Sequence, residues 1–177
     1  NKIDLGAMGL SDEEIKEISG IYIVACGSAY HTGVVGQYVI EDLARIPVRV
    51  ELASEFRYRT LLLDKHALVI VVSQSGETAD SLAALRESKE YGAKTLAIVN
   101  VVGSTIAREA DHVFYTLAGP EISVATTKAY STQLAAMYML AIQFAAVRGK
   151  IDETKYNELV KELMTIPDKI EKLLEDK

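Results

Sequence analysis

The sequence predicts an α/β protein, a three-layer α/β/α sandwich built on a five-stranded, mainly parallel sheet. Short apolar runs alternate with longer stretches of helical periodicity through the first two-thirds of the chain, the pattern of successive βαβ units. The central runs Ala67–Val72 and Thr95–Val99 are almost wholly apolar, as strands covered on both faces must be.

The elements follow in order. Strands are predicted at Ile21–Ala25, Val48–Leu52, Ala67–Val72, Thr95–Val99 and His112–Tyr115. Between them lie helices at Thr32–Ala44, Thr78–Tyr91 and Ser104–Glu109, each entered through Ser, Thr or Gly. Thr127–Arg148 is an Ala- and Met-rich helix closed by Gly149, and its small side chains suit close packing on another helix or on the sheet. Beyond Asp152, Tyr156, Leu159, Val160, Leu163, Ile170, Leu173 and Leu174 recur at helical spacing, with Pro167 placed for the first turn of a new helix. The organisation is therefore a linker with a short helix over residues 1–20, one domain over 21–150, and an amphipathic helical segment over 151–177 that needs a partner surface.

Composition narrows the function. A length of 177 residues buries about two-thirds of the unfolded surface, enough for one well-packed domain and too short for two. The net charge of -6, without a run of Lys or Arg, argues against a nucleic-acid surface. The strongly apolar stretches Leu134–Val147 and Leu68–Val72 fall short of a membrane span. Cys26 is the one cysteine, which excludes an internal disulfide and fits a reducing cytoplasm. The chain begins at Asn1 without a secretory leader, so it reads as a piece of a longer protein. His31, His66 and His112 have no metal-ligand spacing.

The chemistry concentrates in Ser73-Gln74-Ser75-Gly76-Glu77-Thr78, between a buried strand and a helix. In parallel α/β sheets ligands bind beyond the carboxyl ends of strands, where helix N-termini offer unpaired N–H groups. Ser73, Ser75 and Thr78 supply hydroxyls, Gln74 an amide, and Gly76 lets the backbone approach an anion closely. The loop contains no lysine, the chain has no G-x-x-x-x-G-K-[ST], and Gly27 belongs to no G-x-G-x-x-G, so neither a nucleoside triphosphate nor a dinucleotide cofactor is implied. A monophosphate remains. Elsewhere, Cys26 reads as a buried structural cysteine, Glu55, Arg57 and Arg59 as solvated ion pairs rather than an anion clamp, and Lys128, at the unfavourable end of a helix dipole, as the partner of an acid such as Glu121 or of a bound anion.

Ser73-Gln74-Ser75-Gly76-Glu77-Thr78-Ala79-Asp80 resembles the phosphate loop of sugar isomerase (SIS) domains. With Ala53-Ser54-Glu55-Phe56-Arg57-Tyr58-Arg59 before it and Glu121-Ile122-Ser123-Val124-Ala125-Thr126-Thr127-Lys128-Ala129 after it, the chain is similar, from Ile21 to Gly149, to the first SIS domain of the glutamine-dependent fructose-6-phosphate aminotransferase family. The resemblance implies a flavodoxin-like SIS fold, a hexose 6-phosphate ligand and the start of amino-sugar synthesis. It also implies a glutaminase domain and a second SIS domain outside this chain, and self-association into a homodimer. Residue by residue, it assigns the sugar phosphate to Ser73, Gln74, Ser75 and Thr78, with Gly27 and Ser28 assisting and Val124 lining the sugar. Ala29 departs from the family, which often has Ser there, so one hydroxyl contact is missing. The family's acid-base residues lie in its second SIS domain, so no catalytic residue is expected here. Two alternatives stay open: a stand-alone phosphosugar isomerase, with Glu51, Glu55 and His31 as its acid-base candidates, and a non-catalytic sugar-phosphate sensor.

Overall fold

A computed structural model describes residues 2–123 and 125–175. Among them, five strands form one sheet: β1 (Gly20–Ala25), β2 (Val48–Leu52), β3 (Ala67–Ser73), β4 (Lys94–Val99) and β5 (His112–Tyr115). The order is β2-β1-β3-β4-β5 and every pairing is parallel, the flavodoxin-like arrangement. The sheet is thus wholly parallel. All five strands begin and end within one residue of their predicted positions.

Each central strand feeds both faces of the sheet through its two-residue alternation. Leu68, Ile70 and Val72 join Ile21, Ile23, Leu96 and Ile98 in one core, under α1 (Asp12–Glu17), α2 (Ser28–Ala44) and α6 (Thr127–Val147). Val69 and Val71 join Val24, Ala97 and Val99 in the other, under α3 (Ala53–Phe56), α4 (Ala79–Glu90) and α5 (Thr105–Glu109). Residues before β1 belong to this body, since Met8, Leu10, Ile15 and Ile18 are buried in the first core.

Two glycines set how closely α2 approaches its neighbours. A Cβ on Gly33 would lie 2.8 Å from Ile23 Cγ2, and one on Gly36 would lie 2.7 Å from Met137 Sδ on α6. Side chains at these positions would hold α2 off both β1 and α6. The C-terminal helices α7 (Glu153–Met164) and α8 (Ile166–Glu175) follow, with Pro167 in the first turn of α8 as predicted. α7 buries Val160, whereas α8 buries no residue and exposes Ile170, Leu173 and Leu174.

Two elements differ from expectation. α2 starts at Ser28 rather than Thr32, because Gly27 takes a left-handed φ of 58° that turns the chain directly from β1 into the helix. The short helix α3 was not foreseen. Its four residues are too few for a periodic signal, and buried Ala53 and Phe56 hold it in place.

The N-terminal helix is tied to the sheet by a charge. Ser11 and Glu14 form a capping box, with Glu14 N–H donating to Ser11 Oγ at 3.2 Å and Ser11 N–H donating to Glu14 Oε2 at 2.8 Å. Lys94 of β4 donates to Glu14 Oε1 at 2.5 Å. These bonds, that of Lys94 first, hold the Glu14 carboxyl at about 2, down from 4.5. A depressed carboxylate contributes stability above its unfolded pKa and loses it as pH falls toward the folded one. Glu14→Gln should therefore cost about 1 kcal/mol at pH 7, discounted for the pair's partial exposure. In urea titrations the gap between variant and wild type should close as pH drops from 4.5 to about 2; a gap independent of pH would contradict this.

Candidate functional site

β1 and β3 are neighbours, yet α2 leaves β1 toward one face and α4 leaves β3 toward the other. A crevice must open at their carboxyl ends, the topological switch point of such sheets. It holds a cleft of about 270 Å³ lined by Cys26, Gly27, Ser28 and Ala29 after β1, Val72 to Ser75 and Thr78 after β3, and Thr126 and Gln133 of the α6 region. Of the residues singled out in the sequence, Gly27, Ser28, Ala29, Ser73, Gln74, Ser75 and Thr78 all meet here. Val124 lies outside the described residues.

Among the described residues no charged side chain lines the cleft, and its polarity comes from helix ends, hydroxyls and amides. α2, α4 and α6 all begin at it, with Gly27, Thr78 and Thr126 as their N-caps, and none of these caps places a side chain on its own helix. Thr78 Oγ1 instead pairs with Ser73 Oγ at 3.2 Å, and Ser28 Oγ pairs with Thr126 Oγ1 at 3.1 Å, joining the starts of α2 and α6. N–H groups and partial positive charge are thus presented to a neutral cavity. The nearby acid in the first turn of α4, Asp80, is taken up by Arg57, whose Nη1 donates to it at 2.7 Å.

The loop is braced from behind. Ser73 Oγ accepts from Gly76 N–H at 3.0 Å, and Ser75 Oγ accepts from Glu77 N–H at 3.2 Å. Gly76 carbonyl accepts from Ile106 N–H at 3.0 Å, while Glu77 Oε1 accepts from Thr105 N–H at 2.7 Å and so caps α5. That backbone donor is the main cause holding the Glu77 carboxyl below its usual range. Asn100 N–H donates to the Gln74 carbonyl at 3.2 Å, and its side chain bridges Ala118 N–H and Gly119 carbonyl, each at 2.7 Å. Asn100 thereby ties this loop to the segment leading to α6.

Several sequence readings change. Cys26 is half-buried on the cleft, with Sγ 3.8 Å from Ser81 Oγ, rather than sealed in the core, because β1 ends one residue before it. Arg57 and Arg59 are only partly exposed, and Arg59 Nη2 lies 2.5 Å from Glu51. Glu55 is exposed and makes no ion pair among the described residues. Glu121 does not pair with Lys128. It accepts from Ala129 N–H at 3.2 Å, where the helix end attracts a carboxylate more directly than a mobile ammonium does. His31, His66 and His112 sit apart, edge-on to Tyr30, 3.8 Å from Glu17 and 3.8 Å from Glu14 respectively. Thr126 and Gln133 were not foreseen as lining residues. The available signal for Gln133 was an amide seven residues after Thr126 in a helix otherwise built for apolar packing.

A flavodoxin-like parallel sheet with a neutral, donor-lined cleft at its switch point is the architecture of an SIS domain. The SIS domain family matches residues 14–143, and the chain belongs to that family. It is 59% identical over 173 residues to glutamine–fructose-6-phosphate aminotransferase (isomerizing) of Clostridium tetani, covering 98% of this chain and 28% of that protein. The enzyme of the same name from Caldanaerobacter subterraneus subsp. tengcongensis is 54% identical over all of this chain and 29% of its own length. Among solved structures, the C-terminal domain of glucosamine-fructose-6-phosphate aminotransferase from Francisella tularensis superposes with a TM-score of 0.85 at 40% identity, over 88% of this chain and 44% of that one. The chain thus spans less than a third of the length of these two aminotransferases.

The bracing generates a test. Gly76 has a φ of 67°, and a Cβ there would lie 2.0 Å from Ser104 Oγ. Gly76→Ala should destabilise by about 2–4 kcal/mol, combining left-handed strain with overpacking. Ser104→Gly should recover the packing part but not the strain. Additive effects in a double-mutant cycle of thermal unfolding would show that the two residues do not press on each other.

Proposed function

We propose that this chain is the substrate-holding SIS domain of an enzyme that makes glucosamine 6-phosphate and glutamate from fructose 6-phosphate and glutamine, the first step of amino-sugar synthesis. One observation carries the reading: three helix N-termini and a hydroxyl-rich loop converge on a small cleft without any charged side chain. Such a site suits one phosphate monoester, since helix ends and hydroxyls supply donors while a triphosphate would call for a lysine or a metal. The cleft volume lies just under the roughly 300–1,000 Å³ of typical small-molecule sites, which fits a single polar metabolite. Relatives at 54–59% identity carry the corresponding enzyme name.

In this reading Ser73, Gln74, Ser75 and Thr78 hold the phosphate through side chains and the start of α4, with Gly27 and Ser28 offering the start of α2. The reaction opens the ketose, adds ammonia at C2 and moves a proton between C1 and C2, which needs a base within hydrogen-bond reach of the carbon. Among the described residues, the cleft lining offers no Asp, Glu, His or Lys. Binding therefore belongs to this chain, while the acid-base groups and the ammonia come from a second SIS domain, a glutaminase domain and a neighbouring subunit of a cytoplasmic homodimer. A stand-alone isomerase fits less well, since Glu51 is paired with Arg59, and neither Glu55 nor His31 lines the cleft.

Calorimetric titration with fructose 6-phosphate and glucosamine 6-phosphate should detect binding of both, with no product formed from either ammonia or glutamine. Ser75→Ala should weaken both by about tenfold, the loss of one hydrogen bond to a charged group. Undiminished binding by this variant would refute the assigned cradle.

A further inference from the structure

One polar group of the cleft is left unused by everything around it. Gln133, two turns into α6, is only 3% exposed, yet it lines the same cavity as Ala29, Ser73 and Ser75. Among the described residues its carboxamide makes no hydrogen bond, and its atoms are not among the unpartnered side-chain atoms sealed from solvent. The amide therefore opens onto the cleft. Its hydroxyl neighbours differ, because Ser28 and Thr126 pair with each other, Ser73 pairs with Thr78 and accepts from Gly76, and Ser75 accepts from Glu77. A buried side chain whose carboxamide is free of protein partners and faces a cleft is a donor and acceptor available to a bound molecule.

We propose that Gln133 is a ligand-binding residue whose carboxamide N–H group donates to a phosphate oxygen of the bound sugar phosphate. This rests on the reading of the cleft given above. A phosphate dianion presents acceptors only, and the helix ends around it favour an orientation that turns the amide nitrogen, rather than its oxygen, toward the ligand. Ala29 brings a methyl group to the α2 side of the cleft, and Ser28 Oγ shares a hydrogen bond with Thr126, so that segment offers few side-chain donors. Gln133 supplies a donor from α6 instead.

The test is NMR of the wild-type chain titrated with inorganic phosphate, reading the side-chain amide of Gln133 assigned through bonds, with calorimetry of two variants beside it. The Gln133 amide resonances should move with phosphate concentration. Gln133→Met, similar in length but without donors, should weaken inorganic phosphate and fructose 6-phosphate by the same factor of about ten, as loss of a charge-assisted bond does. Gln133→Glu, equal in shape but anionic, should weaken both further. An unmoved amide, or a folded Gln133→Met with wild-type affinity, overturns the proposal while loss of binding in Ser75→Ala leaves the cradle standing. A wild-type chain that binds neither compound would instead overturn the reading of the cleft itself. The resonance measurement needs no variant, so a misfolded Gln133→Met does not remove the test.

Discussion

The geometry of adjacent parallel strands whose helices depart to opposite faces governs the rest of this structure. β1 and β3 cannot send α2 and α4 apart without leaving a gap above their ends, and the gap fills with backbone N–H groups from both helices. α6 then returns to the α2 face and adds a third helix start, joined to the first through Ser28 and Thr126. Gly33 and Gly36 permit this, since α2 lies too close to Ile23 and Met137 for a side chain at either position.

The loop after β3 works in two directions. Its backbone and the hydroxyls of Ser73 and Ser75 are partly committed inward, to Gly76, Glu77 and the start of α5. That bracing fixes the loop before any ligand arrives, which lowers the ordering cost of binding. Asn100 extends it to residues 118 and 119, so the segment before α6 is held relative to the same loop.

The sheet was legible almost residue for residue because buried parallel strands are short apolar runs bounded by turn residues, and Ala67–Ser73 is as plain an example as the chain offers. The loop was legible for a related reason, since its donor types follow such a run directly. Less visible was what depends on conformation. The early start of α2 turns on the φ of Gly27, α3 is too short to show a period, and the carboxylate of Glu121 reaches the backbone of Ala129 rather than the side chain of Lys128. Gln133 was hidden by its neighbours. On an Ala- and Met-rich helix the apolar pattern dominates, and one amide among it becomes informative only once its face is known to meet a cavity.

The neutrality of the cleft has a kinetic side. Helix ends attract an anion over a few ångströms, and their influence fades much faster than that of a lysine or arginine. At longer range an approaching anion meets a chain of net charge -6. Long-range attraction therefore does not steer an anion into this chain, and any discrimination among anionic ligands would fall to residence time within the cleft rather than to rate of arrival.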